Sequence, residues 1–361
     1  MAGVRVSTDE RVEAALRNWG SRFVARGVDH GDVQRLAGSI MSWDDWLPRW
    51  RDVAREWEVL ARDWAAAGRR LSAGEAWQRA ALGYHFARFL SVDDEAAYLA
   101  VSKRAVAAHA AALRLLDPAA ERIETGLGPA RMAAILRRPP GVERAPLVLL
   151  VPGLDSTKEE FLGWSDVLLR RRLATLAIDG PGQGEGGYGE GRMRPDYEAV
   201  VGAFLDALAG TPGLDLDRVG LAGVSLGGYY APRAAAFEPR VRAVVAIGGP
   251  YDVSQCWPGF PPMTRAKARY HLGWPTEAEA AERLRAFTLR GVATRVRCPL
   301  LLVAGRQDRL VPYGQATRLA AEAPRAELLL YETGNHCCTN LFWRHTPLTA
   351  DWLAERLGAA G

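Results

Sequence analysis

Arg218-Val219-Gly220-Leu221-Ala222-Gly223-Val224-Ser225-Leu226-Gly227-Gly228-Tyr229-Tyr230-Ala231 is the stretch on which the reading of the fold turns. Its first five residues form an apolar run of strand type. Its last six open into an alanine-rich helical stretch that ends near Glu238-Pro239, and Ser225 stands at the junction between two glycines. A hydroxyl presented on a sharp strand-to-helix turn is a nucleophile elbow. The glycines are steric requirements, because the serine backbone of such a turn is strained and a β-carbon two positions away on either side would strike the adjoining strand or helix. With 37 glycines in 361 residues, about 0.1 Gly-x-Ser-x-Gly pentapeptides are expected by chance, so the surroundings must carry the assignment. Pro232 lacks an N–H and predicts a bend or a tightened first turn in the helix.

A serine hydroxyl is a poor nucleophile until a base takes its proton, and that base needs an acid to hold its tautomer. Both stand downstream. Pro299-Leu300-Leu301-Leu302-Val303-Ala304-Gly305 reads as a buried strand that delivers Asp308 into the loop beyond it. Leu328-Leu329-Leu330-Tyr331 reads as the next strand and delivers His336. The order Ser225, Asp308, His336 is the one expected of α/β-hydrolases. Asp252, after the strand Val244-Val245-Ala246-Ile247, is the alternative acid. Two backbone N–H groups are needed for the oxyanion: Leu226, next to the nucleophile, and Leu154, in the turn Pro152-Gly153-Leu154-Asp155-Ser156 after the strand Leu147–Val151.

The remaining strands and helices alternate, which predicts a doubly wound, mostly parallel sheet over residues 121–361. Arg122–Thr125 and Arg131–Leu136 read as its first strands, and Ala174–Asp179 as the strand before Gly180-Pro181-Gly182-Gln183-Gly184-Glu185. Pro181 and the lack of an ensuing helix spoil that loop as a dinucleotide cradle, and it is expected near the mouth of the site. Residues 251–297 read as a helical cap insertion, with helices around Met263–Leu272 and Glu277–Leu289. Between Val253 and Thr276 the cap has no acid, whereas Arg265, Lys267 and Arg269 are basic; the plain reading is a solvated helix face, the functional one an anionic or enolisable substrate.

Residues 1–120 show no strand alternation and read as a helical domain. Ser72-Ala73-Gly74-Glu75 predicts a capping box opening a helix to Leu90, and Asp93-Asp94-Glu95 opens another that Asp117-Pro118 stops. Seven of the 12 tryptophans precede residue 80, with Trp43, Trp50, Trp57 and Trp64 at seven-residue spacing on helices either side of Pro48. An aromatic packing face explains them more simply than a ligand platform.

The charged residues, 46 basic against 42 acidic for a net +4, are interspersed, so neither nucleic acid nor a membrane surface is an expected partner. No apolar run reaches the roughly 18 residues of a membrane span, and Met1–Glu10 lacks the apolar segment of a secretory leader, so a cytoplasmic location is expected. Cys256, Cys298, Cys337 and Cys338 have no paired metal spacing and read as reduced, mostly buried thiols. No metal and no cofactor is called for. The expected partner is a small-molecule substrate, and the oligomeric state is left open, a homodimer included.

The elbow, Pro152-Gly153-Leu154-Asp155-Ser156-Thr157-Lys158-Glu159-Glu160, Asp179-Gly180-Pro181-Gly182-Gln183-Gly184 and Gly334-Asn335-His336-Cys337-Cys338 together resemble one branch of the α/β-hydrolases. That branch is the 2,6-dihydroxypseudooxynicotine hydrolase group, with the fungal pigment polyketide-shortening hydrolases. The resemblance runs over nearly the whole chain, Tyr84-His85-Phe86-Ala87-Arg88-Phe89-Leu90 of the helical domain included. It implies cofactor-free hydrolysis of a C–C bond beside a ketone, in aryl ketones or polyketides, by Ser225, His336 and Asp308; cleavage of such a bond, or of an ester, in a bulky carbonyl-rich metabolite such as a polyketide is the expected activity. In one departure, the cap loop Trp257-Pro258-Gly259-Phe260-Pro261 carries no carboxylate. An eliminase or acyltransferase on the same fold is the alternative chemistry, and an intact triad argues against a non-catalytic scaffold.

Overall fold

The computed structural model describes residue 7 and residues 9–359. The reading of Met1–Glu10 as leaderless falls mostly on residues outside this range. The chain divides into two compact units, Met1–Ala120 and Glu121–Gly361.

The first unit is helical: α1 (Glu10–Ala25), α2 (His30–Ala37), α3 (Trp46–Ala66), α4 (Arg70–Arg88) and α5 (Glu95–Leu116). Asp9, Asp29 and Asp94 cap α1, α2 and α5 by accepting backbone N–H bonds in the first turn. Two boundaries differ from expectation. Pro48 falls in the first turn of α3, where its missing N–H has no partner to lose, so one helix runs through it. And α4 starts at Arg70 with Arg69 as its N-cap, which leaves Ser72 inside the helix and its capping box unused. The turn at Gly68, whose φ is +73°, has already set the chain on course.

The tryptophan face is a core. Trp46 and Trp50 are fully buried, and Phe23 packs edge-on against Phe86 at 4.7 Å and Trp50 at 5.1 Å between ring centroids. The Trp46 indole donates to the Phe86 carbonyl at 2.9 Å and that of Trp57 to Asp32 at 2.6 Å, as polar handles of buried indoles usually do, whereas among the described residues the Trp50 Nε1 has no hydrogen-bond partner.

The second unit is built on an eight-stranded sheet: β1 (Glu121–Leu127), β2 (Ala130–Arg137), β3 (Ala145–Val151), β4 (Ala174–Asp179), β5 (Leu214–Val224), β6 (Val241–Ile247), β7 (Leu300–Gly305) and β8 (Ala326–Tyr331). The order is β1-β2-β4-β3-β5-β6-β7-β8. Strand β2 pairs antiparallel with β1 and β4, and all other pairs are parallel. Both faces are covered, which explains why the parallel strands read as unbroken apolar runs. Leu147, Leu149 and Val151 point into the layer of α7 (Glu198–Ala207) and α8 (Leu226–Ala235), while Val148 and Leu150 point to α6 (Leu162–Leu169) and α13 (Phe342–Arg356). The remaining helices are α9 (Val253–Cys256), α10 (Pro262–His271) and α11 (Glu277–Leu284) of the cap segment, and α12 (Gly314–Glu322).

Helix α11 stops five residues before the expected Leu289. Residues 287–289 instead hydrogen-bond back to the start of the cap, Val253 N to Phe287 O at 3.0 Å and Leu289 N to Tyr251 O at 2.8 Å. The solvated reading of the cap's basic face also needs correcting. Lys267 is 0 % exposed, with its ammonium 5.6 Å from the Tyr270 ring centroid, while Arg265 and Arg269 are half-buried beside Glu277 at 3.6 and 3.8 Å.

Candidate active site

Strand β5 ends at Val224, and Ser225 turns the chain into α8 with φ +54° and ψ −123°. A non-glycine residue in that region carries about 1–3 kcal/mol of strain, tolerated where the surroundings over-determine it. They do so here: the Ser225 N–H donates to Ile247 O at 2.8 Å and its carbonyl accepts from Gly228 N at 2.7 Å. That second bond is the tightened first turn expected of a helix holding Pro232. The flanking glycines are sterically compelled. A β-carbon on Gly223 would lie 2.0 Å from Gly227 O, and one on Gly227 would lie 2.2 Å from Val151 O.

Parallel strands end on one edge, so the loops after β3, β5, β7 and β8 converge. His336 Nε2 lies 2.9 Å from Ser225 Oγ and His336 Nδ1 lies 2.8 Å from Asp308 Oδ2. The other oxygen of Asp308 accepts N–H bonds from Leu310 and Val311, both at 2.9 Å, which orients the carboxylate toward the imidazole. Asp252 is not brought to the histidine. It caps α9, accepting from Ser254 N at 3.1 Å and Ser254 Oγ at 2.6 Å and, on its second oxygen, from Thr288 Oγ1 at 3.1 Å. Burial on its own would lower the proton affinity of His336; the Asp308 carboxylate at Nδ1 outweighs it and holds the imidazole well above its ordinary pKa.

Leu226 is the first residue of α8, and Leu154 lies in the turn after β3. The Gly153 backbone approaches the serine so closely that a β-carbon there would sit 3.0 Å from Ser225 Cβ. Among the described residues, neither the Leu154 nor the Leu226 N–H donates to another backbone group. Two free N–H groups beside an elbow hydroxyl are suited to an oxyanion.

Three neighbours were not singled out from the sequence. Cys337 Sγ lies 3.4 Å from His336 Nε2 and 3.6 Å from Ile247 O, placed by a positive φ of +56°; its position next to His336 was the only available signal. Lys158, 1 % exposed, sets its ammonium 2.5 Å from Glu159, 2.8 Å from Asp179 and 2.5 Å from Glu185. Among the described residues these three carboxylates form a group whose spacing suits a cation, and the lysine ammonium stands among them. They hold Lys158 in its charged form against the cost of burial. Burial and the charges of Glu159 and Glu185 in turn push the Asp179 carboxyl up. Gln183, in the glycine-rich loop, is buried and donates to Pro152 O at 2.6 Å. That loop therefore packs against the turn after β3, its Gln183 side chain satisfying buried backbone groups of both.

Comparison with known proteins gives a consistent placement. The chain is 33 % identical over 359 residues, covering 98 % of itself and 95 % of the relative, to the 2,6-dihydropseudooxynicotine hydrolase of Paenarthrobacter nicotinovorans. It is 35 % identical over 246 residues, 63 % of this chain and 58 % of the relative, to the 20-hydroxy-prefusarin hydrolase FUS2 of Gibberella moniliformis. The crystal structure of the 2,6-dihydroxy-pseudo-oxynicotine hydrolase superposes with a TM-score of 0.85 at 34 % identity, covering 94 % of this chain and 96 % of that one. With residues 21–358 matching the family described as esterase FrsA-like, the chain belongs to the FrsA-like esterases, hydrolases of the α/β-hydrolase fold.

Proposed function

We propose that this enzyme is a serine-dependent hydrolase that cleaves an acyl bond, either a C–C bond beside a ketone or an ester, in a bulky carbonyl-rich metabolite of polyketide type. One observation carries the reading: the unbroken chain Ser225 Oγ, His336 Nε2, His336 Nδ1, Asp308 Oδ2 at hydrogen-bond distances. Ser225 attacks the carbonyl carbon as His336 takes its proton, and the Leu154 and Leu226 N–H groups receive the oxyanion. When the adduct collapses, the bond to the leaving carbon or oxygen breaks and His336 returns the proton to it. Water then enters by the same base and releases the acid. No cofactor takes part in this scheme. The hydrolases of a pseudooxynicotine and of a prefusarin derivative among the relatives support a bulky ring- or polyketide-bearing substrate.

Ser225→Ala and His336→Ala are each expected to lower turnover by at least about 10²- to 10⁴-fold, and a fluorophosphonate probe is expected to label the wild type but not Ser225→Ala. Undiminished turnover in both variants would remove the assignment. A second reading keeps the same side chains but lets the acyl group leave by elimination or pass to another acceptor; the buried Lys267, in a cap segment without acids from Val253 to Thr276, favours it. Turnover in ¹⁸O-labelled water separates the two, since hydrolysis places label in the released acid and β-elimination does not.

A further inference from the structure

Gln183 is 2 % exposed, and both ends of its carboxamide are engaged. Its Oε1 accepts from Gly180 N at 3.2 Å and from Tyr197 Oη at 2.6 Å. Gly180 N–H is purely a donor and Pro152 O purely an acceptor, so the amide orientation is unambiguous. Nε2 donates to Pro152 O at 2.6 Å and lies 3.4 Å from Gly153 O. The Tyr197 ring stacks on Tyr230 of α8 at 4.0 Å and 15°, so the bracket holding Gln183 is tied to the helix that follows Ser225.

The peptide joining Gly153 to Leu154 is the one whose N–H was assigned to the oxyanion. No cis peptide occurs among the described residues, and in a trans peptide the C=O and N–H point in opposite directions. With the Gly153 carbonyl turned to Gln183, the Leu154 N–H is turned away from it. Ser225 flanks the same residue, its Oγ 3.6 Å from the β-carbon position of Gly153. A few residues on, Lys158 N–H bonds to Asp179 Oδ1 at 3.0 Å, which anchors the other end of the turn.

We infer that Gln183 is a positioning residue: by binding the carbonyls of Pro152 and Gly153 it sets the plane of the Gly153–Leu154 peptide and so aims the Leu154 N–H at the oxyanion. The inference rests on the serine reading above. Without the carboxamide the two carbonyls would be buried without a donor, and the peptide would rotate to find one. A preorganised N–H would become one that must reorganise during the reaction.

The test uses the full chain with p-nitrophenyl acetate as substrate and phenylboronic acid as a tetrahedral mimic of the intermediate. Gln183→Met removes all four hydrogen bonds. Gln183→Glu keeps acceptors for Gly180 and Tyr197 but has no donor for the carbonyls. Both are expected to lower kcat about 10- to 100-fold with KM changed less than about threefold, and to weaken phenylboronic acid by a factor matching the loss in kcat. A purely structural role would lower the melting temperature and leave these in the folded protein unchanged. Wild-type kcat and boronate affinity in either folded variant would overturn the proposal, and Gln183→Glu decides alone if Gln183→Met does not fold. Ester turnover and boronate binding that survive in Ser225→Ala would instead sink the serine reading, and this inference with it.

Discussion

Asp308 is tied on both oxygens, to the Leu310 and Val311 N–H groups and to His336 Nδ1, so its replacement tests electrostatics with little change of shape. In Asp308→Asn an amide N–H facing Nδ1 would favour the tautomer with the proton on Nε2, the wrong one for accepting from Ser225; a loss of about 10⁴ in kcat is expected. A pH signature accompanies it. In the proposed scheme His336 can take a proton only when neutral, and Asp308 raises its pKa above the ordinary 6.5. Activity should therefore appear as pH rises through a value above 6.5, and the residual activity of Asp308→Asn should appear at lower pH. An acid limb of kcat/KM that stays in place in Asp308→Asn, or that moves in Asp252→Asn, would show that the acid has been assigned to the wrong residue. The convergence of Ser225, Asp308 and His336 at hydrogen-bond distances was legible because each is a distinctive chemical type just beyond an apolar strand. Cys337 and Gln183 were not, because proximity to the imidazole and to the Pro152 carbonyl arises only when separate loops are brought together.

Elements were legible where periodicity and punctuation agreed, and not where a local signal competed with the chain around it. Asp94 and Asp117 bracket α5 as read. Thr276 and Ser72 both head sequences of capping-box type, yet only Thr276 caps, its hydroxyl accepting from Glu279 N at 3.2 Å and its own N–H donating to Glu279 Oε2 at 2.8 Å. Thr276→Ala should cost about 1 kcal/mol, whereas Ser72→Ala, within an existing helix, should cost less than about 0.5 kcal/mol; denaturant midpoints compare them, and equal losses would contradict the placement of α4. The loops after β3 and β4 were not legible as one unit because Lys158 stands 21 residues before Asp179. Their ion cluster makes a stronger demand. Lys158→Met takes the ammonium from the buried carboxylates of Glu159 and Asp179, while Glu185 keeps Arg122 at 2.8 Å, and should destabilise the fold by about 3–5 kcal/mol; an unchanged melting temperature would mean that the cluster contributes nothing.

At the scale of the whole molecule, the chain's probes divide along its length: seven of 12 tryptophans precede residue 80, while every cysteine follows residue 250. Among the described residues no helix is long and apolar enough to cross a membrane. All four cysteines fall within Glu121–Gly361, so they report on packing within the sheet-bearing unit. All four are free; Cys256, Cys337 and Cys338 are buried and Cys298 is partly so. Burial pushes the thiols of Cys256 and Cys338 up to about 12 and that of Cys298 up to about 11. Only the thiolate attacks a disulfide reagent, so at mild pH Cys256 and Cys338 are blocked twice, by access and by protonation, whereas the partly exposed Cys298 is held back by protonation alone. In native buffer, Ellman's reagent should therefore titrate well under the full complement within minutes, Cys298 and Cys337 being the sole candidates. All four should react promptly in concentrated guanidinium. Between these limits, release of Cys256 and Cys338 should follow the denaturant curve of the sheet unit, because Cys338 packs in its core among Val245, Val303 and Leu353 and becomes accessible only when that core opens. Prompt reaction of all four thiols in native buffer would contradict the packing around β6, β7 and the His336 loop, and with it the rigidity that the hydrogen-bonded line from Asp308 to Ser225 requires.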